Sequence, residues 1–156
     1  MFARSGATCV GLRRSGAYDV LPAAEPTRGE TRTMSRVPLI AIVDDDDALR
    51  NSLDNLIRSV GFRAQGFSSA EAFLRSDQAR ETACLILDVR MPGMNGLELQ
   101  RQMVAANWQI PIIFITAHAD DEARARALEA GAVAFLYKPC REDDLLHAID
   151  AALKQP

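Results

Sequence analysis

The stretch CLILDVRMPGMNG, residues 84–96, decides the architecture. Its apolar start has strand length and stops at Asp88. A Pro92-Gly93 turn signal follows, and Leu97, Leu99 and Val104 then recur at helical spacing. The unit strand, acidic stop, turn, helix has counterparts on either side. Upstream, the β-branched run Leu39–Val43 ends abruptly in Asp44, and Leu49, Leu53, Leu56, Ile57 and Val60 continue as a helical face, with Gly61 as a stop. Residues 63–67 read as a shorter, more polar strand, and Ser68 or Ser69 caps a helix containing Ala72, Phe73 and Leu74. Downstream, Ile110–Ile115 is a fourth strand with Pro111 near its start. A helix from about Asp121 to Ala130 is stopped by Gly131, Val133–Tyr137 is a fifth strand, and Glu142–Leu153 is a last amphipathic helix.

Five strand-helix units in strict alternation predict an α/β fold, a doubly wound five-stranded parallel sheet covered on both faces. About 120 residues is too short for an eight-unit barrel, which needs about 250. Polar residues end four of the strands: Asp44-Asp45, Asp88, Thr116 and Lys138. The strand ending at Phe67 has none, as expected of an edge strand away from the functional crevice. The first strand then neighbours the third, giving the order 2-1-3-4-5 with its crevice between them.

Composition narrows the function. In 156 residues there are 18 basic and 21 acidic side chains, net −3, so no global basic field is available to hold nucleic acid. The apolar runs fall far short of the roughly 18 residues of a membrane helix. Cys9, Cys84 and Cys140 are odd in number and lack paired metal or redox spacing, which favours a reduced, cytoplasmic setting, with Cys84 as a core residue. Residues 1–36 carry six arginines against three acidic residues and show no hydrophobic period. That composition predicts a disordered extension ahead of a domain spanning 37–156. It is a natural tail or a product of a misassigned start, with Met34 as the alternative first residue. A transit peptide stands behind both, and a secretory signal lacks its apolar core.

Three carboxylates in one crevice repel one another unless a cation intervenes. Oxygen-only donors favour Mg²⁺, or Mn²⁺, over zinc, and Mg²⁺ characteristically shares its ligands with phosphate. Lys138 and the Thr116 hydroxyl suit phosphate oxygens, so the set points to aspartyl phosphate chemistry. Each residue alone also has a plain reading. Residues 44–47 form a solvated acidic loop in which Asp47 caps the next helix, Asp88 precedes a turn, and Thr116 and Lys138 are ordinary strand-end residues. Their shared place at strand carboxyl ends argues for the site.

At these residues the chain resembles the receiver domains of two-component response regulators, with the CheY-like fold and a texture closest to the FixJ class. The resemblance rests on VDDD at 43–46, LDVRMPGMNG at 87–96, ITA at 115–117, and Gly131-Ala132 leading to Tyr137-Lys138-Pro139. It covers about residues 37–153. It implies that Asp44, Asp45, Asp88 and the Arg90 backbone carbonyl hold Mg²⁺, and that Asp88 accepts a phosphoryl group from a histidine kinase or phosphotransfer protein. Thr116 and Lys138 would sense that group, and Phe135 would be the switch aromatic. Arg90 and His118 would tune how fast the phosphoryl group is lost. It further implies a cis Lys138-Pro139 bond. Cys140 departs from the phenylalanine many relatives carry there.

The implied role is signalling rather than classical enzymology, as effector, phosphate sink or relay intermediate, with a dimer through the face of helix four, strand five and helix five as one form of output. A metal-dependent phosphatase of the haloacid dehalogenase type would need an acid two residues after the nucleophile, where this chain has Arg90. A flavodoxin-type cofactor binder would need a phosphate loop after the first strand, which is missing. With Pro156 directly after the last helix, the expectation is a stand-alone receiver without a DNA-binding domain, signalling to an unknown protein effector.

Overall fold

The computed structural model describes residues 37–155. The expectations for residues 1–36, including Met34 and Cys9, lie outside the described residues. The order is β1 (Leu39–Val43), α1 (Asp47–Ser59), β2 (Arg63–Phe67), α2 (Ala70–Arg75), a short 3-10 turn (Ala79–Glu81), β3 (Thr82–Asp88), α3 (Gly96–Ala105), β4 (Ile112–Thr116), α4 (Asp121–Glu129), β5 (Ala134–Tyr137) and α5 (Glu142–Leu153). All strand pairings are parallel, in the order β2-β1-β3-β4-β5. The α/β class, the strand order and the edge position of β2 agree with the sequence.

Strand alternation explains why the sheet is covered twice. Ala41, Val43, Leu85, Leu87, Ile112 and Phe114 join one core with Phe73, Leu99, Met103, Ala123 and Ala127 of α2, α3 and α4. The intervening Ile40, Ile42, Cys84, Ile86, Ile113 and Ile115 join the other with Leu53, Ile57, Leu145, Ile149 and Ala152 of α1 and α5. Every residue of β1 and β4 is buried, as central parallel strands require. Cys84 is a core residue, as expected.

Several boundaries differ from the sequence reading. β3 begins at Thr82, because Thr82 pairs with Leu39 across a register shift. β4 begins at Ile112, since Pro111 has no N–H for the ladder, although its carbonyl accepts from the Leu85 N–H at 2.9 Å. The cap of α1 is Asp46 rather than Asp47. The Asp46 side chain accepts from the Ala48 and Leu49 N–H groups, while Asp47 is the first helical residue and pairs with Arg50. Ser69 caps α2 and Asp120 caps α4, each through its side chain. Arg141 gives α5 no side-chain cap, but Glu142, Asp143 and Asp144 crowd its first turn and meet the positive end of the helix dipole.

Candidate functional site

The β1–β3 crevice collects the strand-end residues. Asp44 and Asp88 are buried, while Asp45 is exposed. One carboxylate oxygen from each lies within 4.8 Å of the others. The Lys138 ammonium, delivered from the end of β5, donates to Asp44 Oδ2 at 2.8 Å and lies 3.4 Å from Asp88 Oδ2. It therefore ties together two carboxylates that are distant in sequence. Asp44 Oδ1 accepts from the Asp46 N–H at 2.8 Å, and Asp88 Oδ1 from the Arg90 N–H at 3.3 Å. Lys138 is aligned through its backbone, whose N–H donates to the Thr116 carbonyl at 2.7 Å. The Lys138-Pro139 bond is cis.

Burial raises the Asp88 pKa above the ordinary carboxylate value, and the Asp44 charge raises it further; Lys138 and the Arg90 N–H pull against that rise without cancelling it. For Lys138, burial opposes the charge, but the hydrogen bond and charge of Asp44, joined by those of Asp88, outweigh it and hold the ammonium above its ordinary value. Two buried carboxylates, a third at the rim and one ammonium leave an excess of negative charge. Hard oxygen donors in that number suit Mg²⁺ and offer zinc neither nitrogen nor sulfur. The residues present therefore fit the metal.

The other predicted residues lie at differing depths in the fold. Thr116 is buried, and its Oγ1 accepts from the His118 N–H at 3.1 Å. No hydrogen bond joins the Thr116 side chain to Asp88 or Lys138 among the described residues. His118 is exposed, and the Arg90 guanidinium reaches across to Asp120 at 3.8 Å. Phe135 is buried, with its ring 5.8 Å from Phe114 and 5.6 Å from Tyr137 between centroids. Cys140 is half-buried and packs against the α1/α5 core.

Two residues at the site were not singled out in the sequence. Arg50 donates to the Asp44 carbonyl at 2.7 Å and so braces the β1–α1 turn from α1. Its spacing from Asp47 was a usable signal, because residues three apart share a helix face. Glu71 of α2 accepts from the Met94 N–H at 3.0 Å; nothing local marks a contact between residues 23 apart.

A family model described as the response regulator receiver domain matches residues 40–150. The chain belongs to the response regulator receiver family. The receiver is 48% identical over 136 residues to the response regulator protein TodT of Pseudomonas putida, a match covering 86% of this chain and 60% of that protein. It is 40% identical over 116 residues to the transcriptional regulatory protein FixJ of Bradyrhizobium diazoefficiens, covering 74% of this chain and 57% of that one. Among solved structures, the crystal structure of FixJ-N superposes with a TM-score of 0.70 at 34% identity, covering 78% of this chain and 98% of the other. The receiver thus spans somewhat over half the length of these curated relatives. It is a two-component signalling domain rather than a classical enzyme. No helix among the described residues is long and apolar enough to cross a membrane.

Proposed function

We propose that this receiver accepts a phosphoryl group on Asp88 from the phosphohistidine of a histidine kinase or phosphotransfer protein, in a Mg²⁺-dependent reaction. The observation that carries the reading is the Lys138 ammonium held between Asp44 and Asp88 inside an all-oxygen crevice. An Asp88 carboxylate oxygen attacks phosphorus, the P–N bond breaks, and its electron pair leaves with the donor imidazole. Asp44, Asp45, Asp88 and the Arg90 carbonyl would hold Mg²⁺, which supplies positive charge to the phosphoryl oxygens. Lys138 is already charged and within reach, so it neutralises the arriving group without a proton transfer.

The signal follows from the change in charge at Asp88. The Thr116 hydroxyl, now an acceptor for the His118 N–H, turns its own proton to a phosphoryl oxygen and draws the β4–α4 segment inward. Phe135 then repacks, remodelling the face of α4, β5 and α5 through which partners or a second copy are contacted. Likeness to a transcriptional regulatory protein supports control of transcription, in the cytoplasm, as the eventual output. Arg90 and His118 border the path of the water that hydrolyses the acyl phosphate.

The test is the intact mass of the chain after treatment with a small-molecule phosphodonor, with and without Mg²⁺, beside Asp88→Asn. The expected result is a labile adduct of one phosphoryl group, lost in alkali and on treatment with hydroxylamine, that requires both Mg²⁺ and Asp88. An adduct that persists in Asp88→Asn at the same yield refutes the assignment.

A further inference from the structure

The loop after β3, residues 89–95, carries the backbone carbonyl of Arg90, and its restraints can be followed bond by bond. At its start the Arg90 N–H donates to Asp88 Oδ1 at 3.3 Å. At its end Asn95 and Glu98 form a reciprocal capping box, both bonds 2.9 Å, and the Gly96 N–H closes the loop onto the Val89 carbonyl at 2.9 Å. These bonds are local. Glu71, in the first turn of α2, supplies a restraint from outside: its Oε2 accepts from the Met94 N–H at 3.0 Å.

The neighbouring residue is shaped around that carboxylate. A Cβ built on Gly93 would lie 2.8 Å from Glu71 Oε2, and Gly93 has a φ of 77°. A side chain there would be strained by the left-handed backbone conformation and would push the Glu71 carboxylate off its present position. The Met94 N–H also holds the Glu71 carboxyl below its ordinary pKa, so the acceptor is ionised at neutral pH and the bond is charge-assisted.

We propose that Glu71 is a positioning residue for the Mg²⁺ site, clamping the 89–95 loop from α2 so that the Arg90 carbonyl is preorganised as an oxygen ligand beside Asp44, Asp45 and Asp88. The inference rests on the metal-dependent reading above. Glu71 touches neither the metal nor the phosphoryl group; it acts through the backbone. Without it, metal binding must order the loop as well as fill the site. Removing a direct partner of a metal ligand weakens affinity about 10- to 100-fold, and Glu71, which acts one step further out through the loop backbone, belongs at about the lower end of that range.

Isothermal titration of Mg²⁺ into the full chain tests this with wild type, Glu71→Ala, Glu71→Gln and Asp88→Asn, alongside thermal melts and NMR exchange of the Met94 amide. For Glu71→Ala the expected results are a Kd raised about tenfold or more and a Met94 amide that exchanges faster even without metal. Glu71→Gln keeps a carbonyl acceptor at the same reach and stays within about threefold of wild type, a drop consistent with losing only charge assistance. If Glu71→Ala does not fold, Glu71→Asp, one methylene too short, carries the same expectation. A lowered melting temperature with unchanged Kd would show a merely structural tether and overturn the inference while leaving the metal site intact. Absence of Mg²⁺ binding in wild type, or unchanged binding in Asp88→Asn, would overturn the metal reading and this inference with it.

Discussion

Replacing Lys138 by Met keeps the length of the apolar stem and deletes the charged tip, which isolates the electrostatic role of the ammonium. At an effective dielectric constant of about 20, ions 2.8 and 3.4 Å apart attract by roughly 6 and 5 kcal/mol gross. Drying the three groups consumes most of that. Deleting one partner of a buried ionic cluster costs about 3–5 kcal/mol, because the remaining charges stay buried without compensation. The Lys138 side chain keeps 20% of its exposure, so the lower end applies. Lys138→Met should lose about 3 kcal/mol at pH 7 in metal-free buffer, a fall in Tm of roughly 10 °C for a domain of this size.

The deficit should shrink as pH falls. Without the lysine, Asp88 retains what raises its pKa, burial and the Asp44 charge, and loses the ammonium that lowered it. Its folded pKa then rises further above the unfolded value of about 3.9. A carboxyl with a raised folded pKa binds its proton more tightly in the folded state, so stability falls as pH rises through that interval and returns as pH drops back through it. Mg²⁺ should repair the same deficit by binding only the folded state and supplying the missing charge. The assay is chemical denaturation of both proteins at pH 7 and pH 5, with and without EDTA or saturating Mg²⁺. A deficit identical under all conditions would mean that the lysine stem packs rather than neutralises, and the electrostatic account would fail.

Gly96 admits no side chain, since a Cβ there would stand 2.3 Å from the Asp88 carbonyl oxygen and 3.1 Å from the Phe114 ring. Gly96→Ala should destabilise by about 1–3 kcal/mol and slow phosphorylation by displacing Asp88; normal stability by urea melt would refute the close approach. Cys84 is fully buried and its thiol is pushed up to about 12, so it should resist a thiol reagent at pH 8 until the domain unfolds, whereas half-buried Cys140 reacts in the native state. Native labelling of Cys84 in a Cys140→Ala, Cys9→Ala protein would contradict the packing. Arg90→Ala and His118→Ala should each change the half-life of the phosphorylated form by about threefold or more, equivalent to roughly 0.7 kcal/mol in the barrier. Unchanged decay of the isolated phosphoprotein in both would remove these residues from the hydrolysis path.

Elements whose signals are periodic and local were legible in the sequence. The strands β1 and β4 are fully buried in the parallel sheet, β3 nearly so with only Ala83 partly exposed, and all three carry continuous apolar runs, while the lack of a charged residue at the end of β2 placed that strand at the edge. The strand-end residues could be assembled because topology alone carries them to one crevice. Finer features depended on geometry that spacing does not encode. Asp46 and Asp47 are identical side chains one residue apart, and which of them caps α1 is decided by backbone angles, Asp46 being extended with φ −87° and ψ 108°. Glu71 and Arg50 serve the site through backbone groups of other segments. A backbone acceptor or donor has no sequence identity, so no motif announces the Glu71–Met94 contact, and the Asp47–Arg50 spacing marks a shared helix face without marking the Asp44 carbonyl that Arg50 reaches.

The way α4 is held bears on how a change at Asp88 can spread. The fully buried residues of α4 are alanines, Ala123 and Ala127, and Leu128 of its last turn is only partly buried against the same core, so the helix gains less burial energy than one with fully buried leucines would. Its C-terminal end is nevertheless pinned, because the buried Gln100 of α3 donates to the Ala127 carbonyl at 3.0 Å, and the Ala132 N–H donates to the same oxygen. Its N-terminal end faces the site and is held by the Asp120 cap and by the exposed Arg90–Asp120 pair at 3.8 Å, a contact worth at most about 1 kcal/mol. Displacing the cap end therefore costs little, while displacing the other end breaks a buried hydrogen bond. On the proposed reading, a pull on Thr116 would therefore shift the capped N-terminal end of α4, where the Arg90–Asp120 pair lies, more readily than its C-terminal turn.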